Sequence, residues 1–292
     1  SDIIYSEERL KVGRNFLNKI WNASRFVLMN LADHNQNIID NVRDISEIEL
    51  TFADRWILSR LHQTIEQVDK YFDKYRFDQT AQIIYDFIWG EFCDWYIEII
   101  KDRLYNGTKK EKEQTLRVTL FTLKNILKLL HPFTPFISEE IYQKVKADDE
   151  PDIIVSSWPG KNAQYVAPEV EEKFTLLQKV VTSIRTARSE VNIPPGKKIS
   201  LVVKGKDQDV VHLFEENESE NYIKNMAKIK KVTVSPDVSK PHPSSSIVVN
   251  GVEIYIPLAG VIDLEAEKER LEKQISKIED YLESNNAKLN NH

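Results

Sequence analysis

A row of amide and guanidinium side chains lies near the start of the chain, in the segment GRNFLNKIWNASRF. At about 3.6 residues per turn, these side chains share one stripe of a helix. The row consists of Arg14, Asn15, Asn18, Asn22 and Arg25. Asparagine is a poor helix-interior residue because its amide competes for backbone hydrogen bonds, and an exposed face is more simply built from Glu and Lys. The row therefore predicts side chains that hydrogen-bond a specific partner.

Two interpretations of this row are open from the residues alone. In the first, the amides and guanidiniums face RNA. In the second, they belong to an interhelical network in which an acidic row pairs with Arg14 and Arg25. The acidic row, also at helical spacing, consists of Glu91, Asp94, Glu98 and Asp102. These carboxylates could also form a metal site, but an acidic row at helical spacing is more commonly a solvated helix face. We therefore assign no metal to the chain.

A second cationic region lies between residues 171 and 206, where eight Lys and Arg residues occur with three Glu residues in a chain of net charge −6. Such segregation makes a local anion-attracting surface, suited to phosphate contacts that position RNA without reading its sequence. The alternative is a solvated helix face followed by an edge strand that lysines protect. The candidate RNA-binding residues of this region are Arg185, Arg188, Lys197 and Lys198.

No motif indicates independent catalysis. The chain has no glycine-rich phosphate loop, no CxxC pair and no HExxH, so no catalytic residue is assigned. His131, directly before Pro132 at a predicted helix end, is a candidate base, with a capping or core histidine as the alternative. The single cysteine, Cys93, excludes an intrachain disulfide and indicates a reducing cytosol. Because the sequence has neither an apolar run of roughly 18 to 20 residues nor a secretory signal, it predicts a cytoplasmic protein without a membrane partner.

Helical periodicity dominates the first half of the chain and predicts an antiparallel helix bundle. The first helix carries an apolar stripe that should dock on a core, made of Phe16, Leu17, Ile20, Trp21, Val27, Leu28 and Leu31. The next helices are expected over Asp54–Tyr71, Phe77–Tyr105 and Thr115–Leu130. A short helix is expected to begin at Ser138, whose hydroxyl would cap it.

Near Pro151 the pattern changes to that of a small α+β domain. A helix is expected over Glu169–Val191 and another over Val210–Met226, and strands are expected in KISLVVKG, KKVTVS and SIVVNGVEIYIPL. Asn250-Gly251 predicts a tight hairpin in which both turn residues have positive φ.

The last segment has apolar residues at 264, 271, 275, 278, 282 and 289, the alternation of a coiled-coil seam. This seam has no partner in the sequence, so we expect a fragment cut inside a longer helical hairpin. The predicted architecture is mostly α, with a helix bundle at 1–150, a small α+β domain at 151–262 and the first helix of a truncated coiled-coil arm at 263–292.

Several of these segments carry a family resemblance. RNFLNKIWNASRF, followed by LLHPFTPFISEEIY and SSWP, resembles the helical anticodon-binding domain of the class I aminoacyl-tRNA synthetases for valine, isoleucine and leucine. IRTARSEVNIPPGKKI and LAGVIDLEAEKERLEKQI resemble the valyl-tRNA synthetases in particular, which carry a small α/β domain and a coiled-coil arm after the bundle. The resemblance covers essentially the whole chain. The Rossmann catalytic domain and the editing domain of that family have no counterpart, so this piece alone should be inactive.

The resemblance implies that the bundle binds the anticodon stem-loop of valine tRNA and that the arm approaches the tRNA elbow. Within the matching motif, the residues expected to bind RNA are Arg14, Asn18, Asn22 and Arg25. Trp21 or Phe26 would offer a stacking plane or serve the core. No cofactor is implied for this chain, while the full-length enzyme would use ATP and Mg²⁺. The implied partners are the tRNA and the catalytic domain of the same protein, which is expected to be a monomer.

Two alternatives are open at this stage. One is a helical protein-interaction scaffold that dimerises through the coiled-coil segment. The other is the equivalent region of a sister synthetase, specific for isoleucine or leucine, against which the terminal arm and the RSEVNIPPGKK run count.

Overall fold

The computed structural model describes residues 7–32, 37–40, 42, 45–206 and 208–290, and the chain divides into two compact units. The first unit is Ser1–Thr175 and the second is Leu176–His292. Helices dominate the first unit, and the second adds a four-stranded sheet. The mostly helical fold class with a small α+β part is therefore confirmed.

The first unit is a bundle of helices around an apolar core. Its helices are α1 (Glu7–Ala32), α2 (Asn37–Asp40), α3 (Phe52–Phe72), α4 (Phe77–Asp86), α5 (Ile97–Asn106), α6 (Lys109–Leu130) and α7 (Pro135–Tyr142), followed by the start of α8 (Pro168–Glu190). Short 3₁₀ turns lie at Ile153–Val155 and Ala163–Tyr165. Fully buried side chains from several helices form the core, among them Ile20, Ile57, Leu61, Ile65, Phe92, Leu116 and Leu123.

The helix expected over Phe77–Tyr105 is continuous but not uniform. Between α4 and α5, Phe87–Tyr96 forms a π-helix, in which the turn is wider than in an α-helix. This π-helical segment packs against α1. The wider turn redistributes the side chains of the acidic row around the helix axis, which regular helical spacing does not predict.

Helix α7 begins three residues earlier than the sequence predicts. Pro135 occupies the first turn, where its fixed φ suits a helix start and its missing N–H costs nothing. Ser138 is buried inside the helix, and its hydroxyl contacts the carbonyl of Thr134 at 2.9 Å. The predicted Ser138 cap is therefore wrong, and His131 Nδ1 lies 2.8 Å from the same hydroxyl.

The second unit contains the rest of α8, the strands and the connecting helices. Its elements are β1 (Ile199–Lys204), α9 (Asp209–Glu215), α10 (Asn217–Ala227), β2 (Ile229–Ser235), β3 (Ser244–Val249), β4 (Val252–Pro257) and α11 (Leu264–Asn290). The sheet order is β2-β1-β4-β3, in which β1 and β2 are parallel and the other pairs antiparallel. A parallel pair needs a crossover, and α9 and α10 supply it.

The hairpin between β3 and β4 has the predicted two-residue turn. Asn250 has φ +46° and Gly251 has φ +82°, as a type I′ turn requires. Val249 pairs with Val252 directly across the turn. The Asn-Gly prediction is confirmed.

Helix α11 carries the predicted apolar seam. The seam side chains on the described part of the helix are exposed, namely Leu264, Leu271, Ile275, Ile278 and Leu282. The side chain of Leu289 lies outside the described residues. Among the helices that the structure describes, none is long and apolar enough to cross a membrane.

Candidate nucleic-acid interface

Helix α1 presents the amide and guanidinium row to solvent. Its buried face consists of Phe16, Ile20, Ala23, Ser24, Val27 and Leu31, which pack into the first unit. The opposite face is exposed and consists of Arg14, Asn15, Asn18, Trp21, Asn22 and Arg25. The helix is amphipathic, with hydrogen-bonding groups where a soluble helix usually carries Glu and Lys.

Within the described residues, the side chains of this row have no hydrogen-bond or ion-pair partner. This holds for the guanidiniums of Arg14 and Arg25. It also holds for the amides of Asn18 and Asn22. Such a row of donors can bind base edges or phosphate oxygens, and a guanidinium can do so with two parallel hydrogen bonds.

The acidic row is bound to other partners. Asp94 pairs with Lys19 at 2.5 Å, and Glu91 accepts two hydrogen bonds from Arg60, at 2.8 and 2.9 Å. Glu98 pairs with Lys101 at 2.6 Å, and Asp102 accepts from the amide of Asn106 at 2.7 Å. The interhelical network proposed for Arg14 and Arg25 is thus not formed within the described part of the chain.

Lys19 is the residue that the sequence analysis missed. Its ammonium lies 3.6 Å from the ring centroid of Trp89 while it pairs with Asp94. Trp89 in turn stacks on Tyr85, with ring centroids 5.7 Å apart. The sequence gives no signal of this contact, because Lys19 and Trp89 are distant along the chain.

Trp21 and Phe26 have different environments. Trp21, expected on the apolar stripe, is 41% exposed and lies on the solvent face. Phe26 is half-buried, meets Tyr105 edge-on at 6.4 Å and has the ammonium of Lys101 5.8 Å from its ring centroid. The assignment of Trp21 to the docking stripe is therefore wrong, and Phe26 already has partners within the unit.

Arg188 does not belong to an RNA-facing surface. Only 5% of the residue is exposed, and its guanidinium donates to several backbone carbonyls at 2.6–3.3 Å. The acceptors are the carbonyls of Pro194, Pro195, Lys197, Ala227 and Lys228. Burial lowers the pKa of the Arg188 guanidinium. The prediction that Arg188 binds RNA is corrected, because its donors hold two chain segments together.

The other three candidate cations of this region are exposed to solvent, but they differ in their hydrogen-bond partners. Arg185 is exposed, but its Nε and one terminal nitrogen donate to the carbonyl of Met226 at 3.0 and 2.9 Å. Lys197 directs its ammonium to the carbonyl of Val261 at 2.5 Å. Lys198 is exposed and has no side-chain partner in the described ranges. Among the described residues, Lys198 is therefore the predicted phosphate contact of this unit whose ammonium is free to meet an anion.

Comparison with known proteins places the chain in a family. Residues 54–203 match the family described as the anticodon-binding domain of tRNA ligase, which is more than half of the 292 residues. The chain belongs to this family. The match to the anticodon-binding domain runs from α3 into β1, so it includes Arg185, Lys197 and Lys198 and begins after α1.

The chain is also similar to valine-tRNA ligases over nearly its whole length, α1 included. It is 40% identical over 290 residues to that of Listeria innocua, covering 99% of this chain and 32% of the relative. It is 42% identical over 292 residues to that of Carboxydothermus hydrogenoformans, covering 100% of this chain and 32% of the relative. For Enterococcus faecalis the identity is 37% over 290 residues, with 99% and 32% covered. The chain thus spans about a third of the length of these relatives.

Proposed function

We propose that this chain is the tRNA-binding part of a valine-tRNA ligase and that it recognises the anticodon stem-loop of valine tRNA. The observation that carries the proposal is the exposed row on α1, in which Arg14 and Arg25 have no acidic partner among the described residues. Membership of the anticodon-binding family supports RNA as the ligand. The similarity to valine-tRNA ligases supports valine tRNA rather than that of isoleucine or leucine.

The row suits the loop better than the duplex of an RNA hairpin. Proteins read RNA sequence mainly in single-stranded loops, whose unstacked bases expose their hydrogen-bonding edges. The amides of Asn18 and Asn22 can both donate and accept, which a base edge requires. Lys198, whose ammonium has no partner in the part of the chain that the structure describes, would add a phosphate contact that positions the RNA without reading it.

In this proposal, anticodon binding serves a reaction that takes place elsewhere in the protein. The catalytic and editing domains belong to the part of the relatives' length that this chain does not span, and ATP and Mg²⁺ would be bound there. Binding energy from the correct anticodon would position the acceptor end of the tRNA for ligation of valine. The full-length enzyme is proposed to act as a cytoplasmic monomer.

A titration with two RNA hairpins tests the proposal. One hairpin carries the anticodon stem-loop of valine tRNA, and the other differs only in its anticodon. Tighter binding of the valine hairpin at two salt concentrations is expected, because base contacts persist when phosphate contacts are screened. Equal binding of both hairpins at both concentrations would contradict anticodon recognition.

The exposed seam on α11 favours a second candidate function, a scaffold that dimerises through this helix. Leu271, Ile275 and Ile278 are 44–59% exposed, and apolar seams of this kind commonly pair with another helix. This function predicts a mass that rises with concentration in analytical ultracentrifugation and no affinity for either hairpin. A constant monomer mass together with selective hairpin binding would rule it out.

A further inference from the structure

Trp21 differs from the other tryptophans of the chain. Each of the other four has an aromatic ring as a neighbour: Trp56 and Trp95 contact Phe174, Trp89 stacks on Tyr85, and Trp158 meets Phe72 edge-on. Trp21 has no ring, cation or hydrogen-bond contact among the described residues, and it is 41% exposed. The indole therefore presents an unoccupied aromatic surface to solvent.

The position of Trp21 on α1 gives this surface a chemical setting. Trp21 lies three residues after Asn18 and four before Arg25, the spacings at which side chains are neighbours on a helix. Arg14 lies two turns earlier, about 10 Å along the helix axis. The indole thus lies beside the donors of Asn18 and Arg25, which have no partner in the described residues and can attract an anionic, hydrogen-bonding partner.

We propose that Trp21 is a stacking platform for one unpaired base of the RNA loop. This proposal rests on the proposed function and deepens it. Every base has a π-face that stacks on an aromatic side chain, and the neighbouring amide and guanidinium groups then reach the edge of the same base. The positive charge of Arg14 and Arg25 complements the phosphates that flank such a base. A membrane or an apolar protein surface would not use the amides of Asn18 and Asn22.

The test compares Trp21→Ala and Trp21→Phe in binding the valine anticodon hairpin. Loss of a stacked base typically weakens binding about 5- to 150-fold, so Trp21→Ala should show a loss in this range. Trp21→Phe, which keeps a smaller ring, should lose less. Trp158→Phe is the control for Trp21→Phe, because Trp158 is equally exposed, at 42%, but already contacts a ring and donates its indole N–H to Asp69. Thermal midpoints of the two Trp21 variants should stay close to that of the unmodified protein, whereas Trp158→Phe also loses the hydrogen bond to Asp69.

A set of hairpins with one abasic loop position each identifies the stacked base. One abasic hairpin should bind the unmodified protein and Trp21→Ala equally, because the base that Trp21 would contact is already missing. The remaining abasic hairpins should keep the full effect of Trp21→Ala. This pattern separates a direct stack from a general disturbance of α1.

The outcomes distinguish this proposal from the proposed function. If Trp21→Ala binds like the unmodified protein while Arg14→Ala weakens anticodon discrimination, the stacking platform is overturned and anticodon recognition stands. If Trp21→Ala weakens every abasic hairpin equally, the direct stack is also overturned. If the unmodified protein binds valine and anticodon-swapped hairpins equally, both proposals are overturned.

Discussion

The ammonium of Lys19 pairs with Asp94 at 2.5 Å and at the same time lies over the ring of Trp89, 3.6 Å from its centroid. This contact joins α1 to the π-helical segment. It also determines which cation of α1 neutralises that carboxylate. The guanidiniums of Arg14 and Arg25, on the other face of α1, have no acidic partner within the described residues.

Replacing Lys19 with Met should reduce stability without changing RNA preference. The variant keeps the apolar stem but loses the ion pair and the cation–π contact, together about 1 to 2 kcal/mol at a partly exposed site. Urea unfolding measures the loss. Lys11→Met is the matched control, since Lys11 is exposed on the same helix and has no partner in the described ranges. Equal stability of the two variants would show that the Lys19 contact does not stabilise the bundle.

Arg14→Ala should weaken binding of the valine anticodon hairpin by about 1 to 3 kcal/mol and reduce discrimination between anticodons. Stability should change by less than about 0.5 kcal/mol, because the Arg14 side chain is exposed and has no partner among the described residues. Fluorescence anisotropy and thermal unfolding measure the two effects, with Lys11→Ala as the control. A lower melting temperature with unchanged anticodon preference would assign Arg14 a structural role instead.

Arg188→Met should destabilise the second unit by about 3 kcal/mol or more. The substitution removes a charged donor and leaves several carbonyls without their partner inside the protein. Arg185→Met is the comparison, because that guanidinium is exposed whereas Arg188 is buried, and the substitution should therefore cost much less. Chemical denaturation measures the free energy of unfolding of both variants. Normal stability of Arg188→Met together with weakened RNA binding would restore the original prediction.

The salt dependence of RNA binding should separate Lys198 from Lys197. Lys198→Gln should weaken binding of all tRNAs alike and reduce the slope of log K against log salt by about 1, as loss of one phosphate contact does. Lys197→Gln should change the slope less and lower stability more, because its ammonium already contacts the carbonyl of Val261. Unchanged slopes for both variants would show that this surface faces away from RNA.

Stability should fall in mild acid because of His62. Burial lowers the pKa of this imidazole to about 4, and its Nδ1 accepts the backbone N–H of Asn162 at 3.1 Å. The unfolded chain takes up the proton near pH 6.5 and the folded chain only near pH 4, so stability declines as pH falls between these values, by up to about 3 kcal/mol. Urea unfolding from pH 7 to 4.5 measures the decline. His62→Gln should flatten it, and an equally steep profile in that variant would exclude His62 as its source.

Local sequence patterns were sufficient to predict most of the helices and strands. The amphipathic periodicity of α1, the Asn250-Gly251 turn and the strands beside it depend on neighbours within a few residues, which fix backbone geometry directly. The start of α7 was misplaced because two local signals competed there. Pro135 is favoured in the first turn of a helix, and Ser138 is favoured as an N-cap. Because Ser138 is buried inside the fold, the helix begins at the proline.

The sequence alone determined that α1 carries two chemically different stripes and that amides and guanidiniums share one of them. Only the tertiary structure decided the rotation of α1 against the π-helical segment, which brings Lys19 to Asp94 and turns Trp21 to solvent. It likewise decided that Arg188 is buried among carbonyls distant in sequence. The reason is geometric: one residue shifts a helical side chain by about 100°, so partners across helices depend on packing that local periodicity does not encode.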